Sequence, residues 1–225
     1  MELTNFIAYL SKLAELVLPS LWETLYMVFF STLFATILGF PLGVILVITD
    51  KGHIWEKPAL NRILGLIVNM ARSLPFIILI IAIFPLSRFI VGTTIGPTAA
   101  IVPLSIAAAP FVARVIESSL KEVSWGVIEA SISVGATIPQ IIFRVMIPEA
   151  LPSLVLGITL TIINILGYSA MAGAIGGGGL GDLAIRYGYQ RFETDVLIAA
   201  IIVLIILVQL IQTTGNIISK KLDKR

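Results

Sequence analysis

Apolar residues form long runs along this chain, and polar residues collect in the shorter segments between them. A helix that crosses a hydrocarbon core about 30 Å thick needs about 20 apolar residues. Five runs reach or approach that length: Leu25–Ile48, Ile63–Leu86, Ile95–Ala113, Leu151–Ala174 and Val196–Ser219. Among them only the second carries a charge, Arg72. The pattern predicts an all-α polytopic membrane protein with five transmembrane helices.

Prolines and glycines inside these runs fit membrane helices better than soluble ones. The third run contains Pro97, Pro103 and Pro110, which membrane helices tolerate where neighbouring groups satisfy the freed carbonyls. In the first run, Gly39 and Gly43 have the spacing that lets two membrane helices approach closely. We therefore expect helix packing at these glycines.

The N-terminal segment has a different pattern. Leu3–Leu18 carries Lys12 and Glu15 among its leucines, which indicates an amphipathic helix lying at the membrane interface over residues 1–20. It lacks the basic start and the small-residue cleavage site of a signal peptide. We expect neither a sixth span nor a cleaved leader.

The placement of lysine and arginine predicts the orientation, because cytoplasmic segments of membrane proteins are enriched in them. With the N-terminus outside, the basic residues of the inner segments outnumber those of the outer ones. The inner set is Lys51, Lys57, Arg62, Arg114, Lys121, Arg144, Lys220, Lys221, Lys224 and Arg225, and the outer set is Lys12, Arg88, Arg186 and Arg191. We predict one membrane domain over residues 1–225, N-out and C-in, with a cytoplasmic loop at 114–150.

Composition excludes several classes of protein. The chain is 58% hydrophobic and 12% charged, with a mean hydropathy of +1.05, which no soluble domain of this size matches. There is no cysteine for a disulfide or a thiolate metal site. The one histidine, His53, is interpreted as a solvated loop residue. The only basic run is the tail at residues 220–225, so we expect no nucleic-acid partner.

The predicted cytoplasmic loop carries a spaced motif. Glu129-Ala130-Ser131 is followed after three residues by Gly135, and later by Val145-x-Ile147-Pro148. The residues before Gly135 predict a short helix with one apolar and one small polar side, ending at this glycine or approached closely there. Thr137, a proline and a glutamine then predict a second helix start.

This motif resembles the EAA loop of ABC-importer permeases, which docks on the ATPase subunit. Ser131, Val145 and Ile147 are conservative departures from the family pattern. The resemblance implies a type I ABC importer permease fold and ATPase-coupling residues Glu129, Ala130, Ser131 and Gly135. Whether Glu129 pairs with a basic residue of the ATPase or holds the loop's own helices together stays open.

Further segments resemble the methionine-importer branch of these permeases. They are Ala71–Phe76, Ile101–Leu104, Ala108–Phe111, Gly167–Met171, Gly178–Gly181 and Tyr187–Tyr189. The resemblance implies methionine uptake by alternating access at the bacterial cytoplasmic membrane. It also implies a homodimer, two ATPase subunits and a substrate-binding lipoprotein. Another amino acid or a small peptide is the alternative substrate.

The chain has no nucleotide-binding motif of its own. The glycines at 176–181 lack the lysine and hydroxyl residue of a phosphate loop, so ATP and Mg²⁺ are expected only on the partner ATPase. We interpret these glycines as an outer loop that turns tightly and over which a binding protein can dock. The rival interpretation is a secondary transporter or channel subunit, but the chain shows no internal repeat that would support it. A membrane scaffold is a third interpretation.

Polar residues inside the spans are candidates for a translocation pathway. Arg72 either faces a water-filled cavity or bonds carbonyls near a proline, since a charge at membrane depth is costly. Asn164, Tyr168, Ser169 and Met171 lie on the fourth run. They either line the pathway or bond a neighbouring helix.

Overall fold

The computed structural model of the chain describes residues 2–223, with side chains from Tyr9 onward except that of Leu10. Every regular element in this range is helical, which confirms the all-α prediction. The α-helices are α1 (Glu2–Ile48), α2 (Pro58–Ser73), α3 (Phe76–Val91), α4 (Pro97–Lys121), α5 (Trp125–Ser133), α6 (Ile138–Ile141), α7 (Ile147–Gly173), α8 (Gly179–Leu183) and α9 (Thr194–Leu222). Two π-helical turns, Ile142–Met146 and Ala184–Tyr189, follow α6 and α8.

Four stretches of the described chain are long and apolar enough to cross a membrane: Ser11–Ile48, Pro97–Lys121, Ile138–Gly173 and Thr194–Leu222. They correspond to four of the five predicted spans. A fifth crossing exists if the bent pair α2 and α3 counts as one span. The orientation stays a prediction, and Lys224 and Arg225, included in its count of basic residues, lie outside the described residues.

The predicted single helix over Ile63–Leu86 is wrong, because the chain bends by 103° at a break between Ser73 and Phe76. Leu74 is extended, with φ −79° and ψ 134°. The following Pro75 explains this, since proline lacks an N–H donor and disfavours helical geometry in the residue before it.

The predicted boundary between an N-terminal helix and the first span is also wrong. α1 runs without interruption from Glu2 to Ile48. Neither Pro19 nor Pro41 breaks it. Whether residues 1–20 lie at the membrane interface stays a prediction.

The chain divides into two compact units, and each long helix contributes to both. The first contains Met1–Thr32, Phe76–Ser105 and Ile162–Leu210. Its core has one cluster around Met27, Ile80 and Leu104 and another around Leu180 and Val196. The second unit contains Leu33–Pro75, Ile106–Thr161 and Ile211–Arg225, with Leu46, Val68 and Ala113 buried together.

Within the second unit, α1 and α4 approach closely at the two predicted glycines. A Cβ on Gly39 would lie 2.5 Å from the Ala109 carbonyl oxygen, and one on Gly43 would lie 2.6 Å from the Ala113 carbonyl oxygen. Real Cβ atoms do not come this close to backbone oxygens. The expectation of helix packing at Gly39 and Gly43 is confirmed.

Candidate functional site

The motif at residues 125–148 folds as helix, sharp corner, helix. α5 ends at Ser133, and Gly135 adopts the left-handed conformation with φ +80°. The Gly135 N–H donates to the Ile132 carbonyl at 2.9 Å, and the Ala136 N–H donates to the Ser131 carbonyl at 3.1 Å. This pair of bonds is the Schellman ending of a helix. The predicted helix end at Gly135 is confirmed.

The second helix starts directly after the corner. The Thr137 N–H donates to the Gln140 side-chain oxygen at 2.8 Å, and Pro139 lies in the first turn of α6. Glutamine three residues after the cap can satisfy a backbone N–H that the helix leaves unpaired. The N–H of Ile147 then donates to the Ile142 carbonyl in the π-helical turn, just before Pro148. The predicted helix start at Thr137 is confirmed.

Most of the apolar side chains of α5 and the corner after it are exposed. Ile128 is buried at 2% exposure, whereas Val127, Ile132 and Val134 are exposed. Of these four apolar side chains only Ile128 is buried against the rest of the described chain. The exposed apolar side chains, together with the corner, form a surface that nothing in the described chain covers.

The four predicted coupling residues lie on or next to this surface. Glu129, Ala130 and Gly135 are exposed, and Ser131 is half-buried, with its hydroxyl donating to the Val127 carbonyl at 2.8 Å. A Cβ on Gly135 would meet no atom within 4 Å. Within residues 2–223 no basic side chain forms an ion pair with Glu129. This geometry favours an outward role for Glu129 over bracing of the loop.

Two sets of contacts that the sequence did not predict hold the start of α5 and the turn before it in place. The Trp125 ring meets the His53 ring edge to face, with centroids 5.6 Å apart. The Ser153 hydroxyl donates to Glu122 at 3.0 Å, and its oxygen lies 3.1 Å from the Ser119 hydroxyl, from which it can accept. His53 is half-buried, so its interpretation as a solvated residue is wrong, and burial lowers its pKa. The sequence feature that could have indicated the Trp125 contact was an aromatic residue at the start of a loop helix.

Arg72 lies in the last turn of α2, just before the break at Leu74. Its side chain is exposed, and within the described residues it bonds none of the carbonyls near Pro75. Instead the Ser73 hydroxyl donates to the Asn69 carbonyl at 2.8 Å. The structure therefore does not support the interpretation in which Arg72 bonds these carbonyls, and its place beside a water-filled cavity stays a prediction.

The four candidate pathway residues on α7 do not share one face. Ser169 is buried and its hydroxyl donates to the Leu166 carbonyl at 2.7 Å, so it satisfies its own helix. Tyr168 stacks on Phe76 with ring centroids 4.1 Å apart and planes 7° apart. Asn164 is half-buried and Met171 exposed. Asn164, Tyr168 and Met171 stay candidates for a pathway.

The glycine-rich segment packs tightly within the first unit. The Gly179 N–H donates to Glu23 at 2.7 Å, and the Leu180 N–H donates to the Thr24 hydroxyl at 2.8 Å. A Cβ on Gly179 would lie 2.6 Å from that hydroxyl. Glu23 and Thr24 thus bond the start of α8, which sequence reasoning missed because they lie far away in the chain. The glycines allow close packing in this segment.

Comparison with known proteins gives the family. The family model described as "Binding-protein-dependent transport system inner membrane component" matches residues 39–225. The probable D-methionine transport system permease protein MetI of Vibrio cholerae is 50% identical over 212 residues, covering 94% of each chain. The methionine import system permease protein MetP of Bacillus subtilis is 48% identical over 212 residues, covering 92% of this chain and 96% of the relative.

Solved structures match over nearly the whole chain. One chain from the native crystal form of the inward-facing MetNI methionine ABC transporter is 47% identical, with a TM-score of 0.91, covering 93% of this chain and 97% of that one. A chain of an amino acid ABC transporter with 18% identity has a TM-score of 0.77, which shows the fold alone. The fold is that of type I ABC importer permeases, and the apolar helices are those of a multi-pass bacterial inner-membrane protein. The chain belongs to the family of inner membrane components of binding-protein-dependent transport systems.

Proposed function

We propose that this chain is the permease subunit of an ATP-driven methionine importer, and that its partner ATPase docks on the α5 corner. Relatives about half identical over almost the whole chain are named for methionine transport, which supports the substrate. The observation that carries the docking site is the exposed corner itself. Glu129, Ala130 and Gly135 are exposed on a loop whose corner is closed by its own backbone bonds.

The proposed assembly contains two copies of this chain, two ATPase subunits and a substrate-binding lipoprotein. This chain has no Walker motif, so the ATPase subunits bind ATP and Mg²⁺ and hydrolyse the ATP, and the permease is not an enzyme. Arg72, Asn164, Tyr168 and Met171 are the candidates for the pathway between the two copies.

Transport follows an alternating-access cycle. ATP binding closes the ATPase pair and draws the two α5 corners together, which opens the pathway to the outside, where the lipoprotein releases its substrate. Hydrolysis separates the ATPases and returns the pathway to the inside. Such coupling requires the corner to interact differently with the ATPase in the two states, because a partner shifts a conformational equilibrium only through differential affinity.

The corner is built for this task in three respects. Its backbone groups bond one another, so contact with a partner does not need to order the loop. Val127, Ile132 and Val134 give the partner apolar area to bury. The Glu129 carboxylate adds a charge that a lysine or arginine of the ATPase can bind.

The substrate is tested by reconstitution. The chain is co-purified in mild detergent with the ATPase encoded beside it, then placed in proteoliposomes with the binding protein and labelled L- or D-methionine. We expect ATP-dependent uptake of methionine. A complex that hydrolyses ATP but imports no methionine would keep the permease and discard the substrate. If no ATPase associates, the proposed docking site on α5 is wrong.

Replacing Glu129 with alanine tests the charge on the corner. We expect weaker association with the ATPase, or ATP hydrolysis that no longer responds to the binding protein, because an exposed charge facing a basic partner is lost. Fluorescence binding assays and ATPase measurements report the two effects. Glu56→Gln is the matched control, since Glu56 is also exposed and lies outside the corner. Unchanged association and stimulated hydrolysis in Glu129→Ala would make Glu129 a surface residue without a coupling role.

A further inference from the structure

A column of three charged residues follows one face of α4 in the second unit. Arg114, Glu117 and Lys121 are three and four residues apart, the spacing that places side chains next to each other on a helix. The Glu117 carboxylate accepts from Arg114 at 2.5 Å and pairs with Lys121 at 3.0 Å. The carboxylate thus lies between two cations.

Both ends of this column bind other elements. The Arg114 guanidinium donates to the Gly65 carbonyl at 3.1 Å and to the Asn69 side-chain oxygen at 2.9 Å, both on α2. Lys121 pairs with Asp50 at 2.7 Å, in the turn that joins α1 to α2. The Lys121 bond lowers the pKa of the Asp50 carboxyl, so this pair stays ionised at neutral pH. α2 and the turn before it are therefore bonded to α4 at two positions, one at Arg114 and one at Lys121.

The middle of the column is its most buried part. The Glu117 side chain is 10% exposed, against 25% for Arg114 and 44% for Lys121. A carboxylate this deep is costly to ionise unless cations compensate it, and removing its charge leaves Arg114 without its carboxylate partner, while Lys121 keeps Asp50. Glu117 is thus the residue on which the geometry of the whole column depends.

The helix that carries this column, α4, leads directly into the candidate coupling helix α5. α4 ends at Lys121, and the turn to α5 is closed by hydrogen bonds from Glu122 N–H to the Ser119 carbonyl and from Val123 N–H to the Leu120 carbonyl. Val123 is buried. The His53–Trp125 contact joins the start of α5 to the α1–α2 turn as well. α5 is therefore tied to α4 through this turn and to the α1–α2 turn through the ring contact.

We propose that the Arg114–Glu117–Lys121 column, together with the His53–Trp125 contact, joins α2, α4 and α5 into one rigid body, so that movement imposed on α5 reaches Arg72 at the end of α2. The three residues are positioning residues: they touch neither ATP nor substrate but fix the element that carries the pathway candidate. This inference rests on the proposed coupling at α5. It adds a connection from that corner to the break at Leu74.

The first test measures coupling in the complete transporter. Proteoliposomes with the ATPase and the binding protein report the ATP hydrolysed per labelled methionine imported. We expect Glu117→Gln and the milder Asp50→Asn to raise this ratio several-fold while the complex stays intact, because hydrolysis continues without full transmission. Glu117→Asp keeps the charge and should restore part of the coupling. Glu56→Gln, an exposed carboxylate in the same turn, should match wild type.

A wild-type ratio in both Glu117→Gln and Asp50→Asn would overturn the inference. If Glu117→Gln fails to assemble, Asp50→Asn decides, because its carboxylate is more exposed, at 39%. Failure of the wild-type transporter to import methionine would instead count against the proposed substrate, not against the column.

The second test does not depend on the substrate. The chain has no cysteine, so Ser124→Cys and Met70→Cys, both at exposed positions, can carry spin labels at the start of α5 and on α2. We expect the same label distance in the assembled transporter with and without ATP, and a broader distribution when Asp50→Asn is added. A mean distance that changes with ATP in the otherwise wild-type chain would show that α2 and α5 move separately.

Discussion

Gly135→Arg is expected to abolish substrate uptake while the chain still inserts and folds. The glycine has φ +80°, and a Cβ there would meet nothing within 4 Å of this chain. The chain itself therefore has room for a side chain, and the conformational cost of a left-handed residue is about 1–2 kcal/mol. An arginine would project from the corner into the space that a docked ATPase occupies. Uptake by proteoliposomes measures the loss of transport, and size-exclusion profiles of the purified chain measure whether it still folds.

Gly135→Ala is the matched control, because it carries the same conformational cost with almost no bulk. We expect it to retain a substantial part of the uptake. Equal loss in both variants would assign the effect to the corner's backbone and not to the space in front of it. Normal uptake by Gly135→Arg would remove the corner from the proposed interface.

Gly43→Ala is expected to destabilise the chain strongly, although it adds only a methyl group. That methyl group would lie 2.6 Å from the Ala113 carbonyl oxygen and from the Ile116 Cβ atom. Two helix backbones would have to separate, and overpacking of this kind costs about 1–3 kcal/mol or more. The yield of monodisperse protein and the thermal unfolding temperature in detergent should both fall.

Gly167→Ala controls for the loss of glycine in a membrane helix. A Cβ at Gly167, inside α7, would meet nothing within 4 Å, and alanine stabilises a helix interior by about 0.5–1 kcal/mol relative to glycine. We expect unchanged or slightly raised stability. If Gly43→Ala behaves in the same way, α1 and α4 are not in the close contact described above.

Local signals explain which parts of the site could be predicted from the sequence. Gly135, Thr137 and Gln140 specify a helix end and a helix start through bonds that span only a few residues, so their types and spacing were sufficient. The long apolar runs were likewise sufficient for four spans. The broken span shows the limit of that reasoning, because hydropathy counts apolar residues and ignores the backbone donor that Pro75 lacks.

Contacts between distant segments could not be predicted in this way. The spacing of Arg114, Glu117 and Lys121 was a visible sign of a charged column, but nothing in the sequence identifies Asp50 as its partner. Ser169 was grouped with its neighbour Tyr168, although consecutive helical residues point about 100° apart. The direction in which each side chain leaves the helix, and not its membership of the same apolar run, decides which polar residues meet.

The corner between α5 and α6 has a consequence for the kinetics of the transport cycle. Its bonds run from Gly135 to Ile132, from Ala136 to Ser131 and from Thr137 to Gln140, so its shape is set within the corner. Ordering a flexible loop costs about 1–2 kcal/mol per residue for the backbone alone, and association would have to supply that free energy at each encounter. Here the cost is met once, during folding. The corner therefore offers the proposed ATPase partner a preorganised surface, and no step of the cycle has to wait for this loop to order.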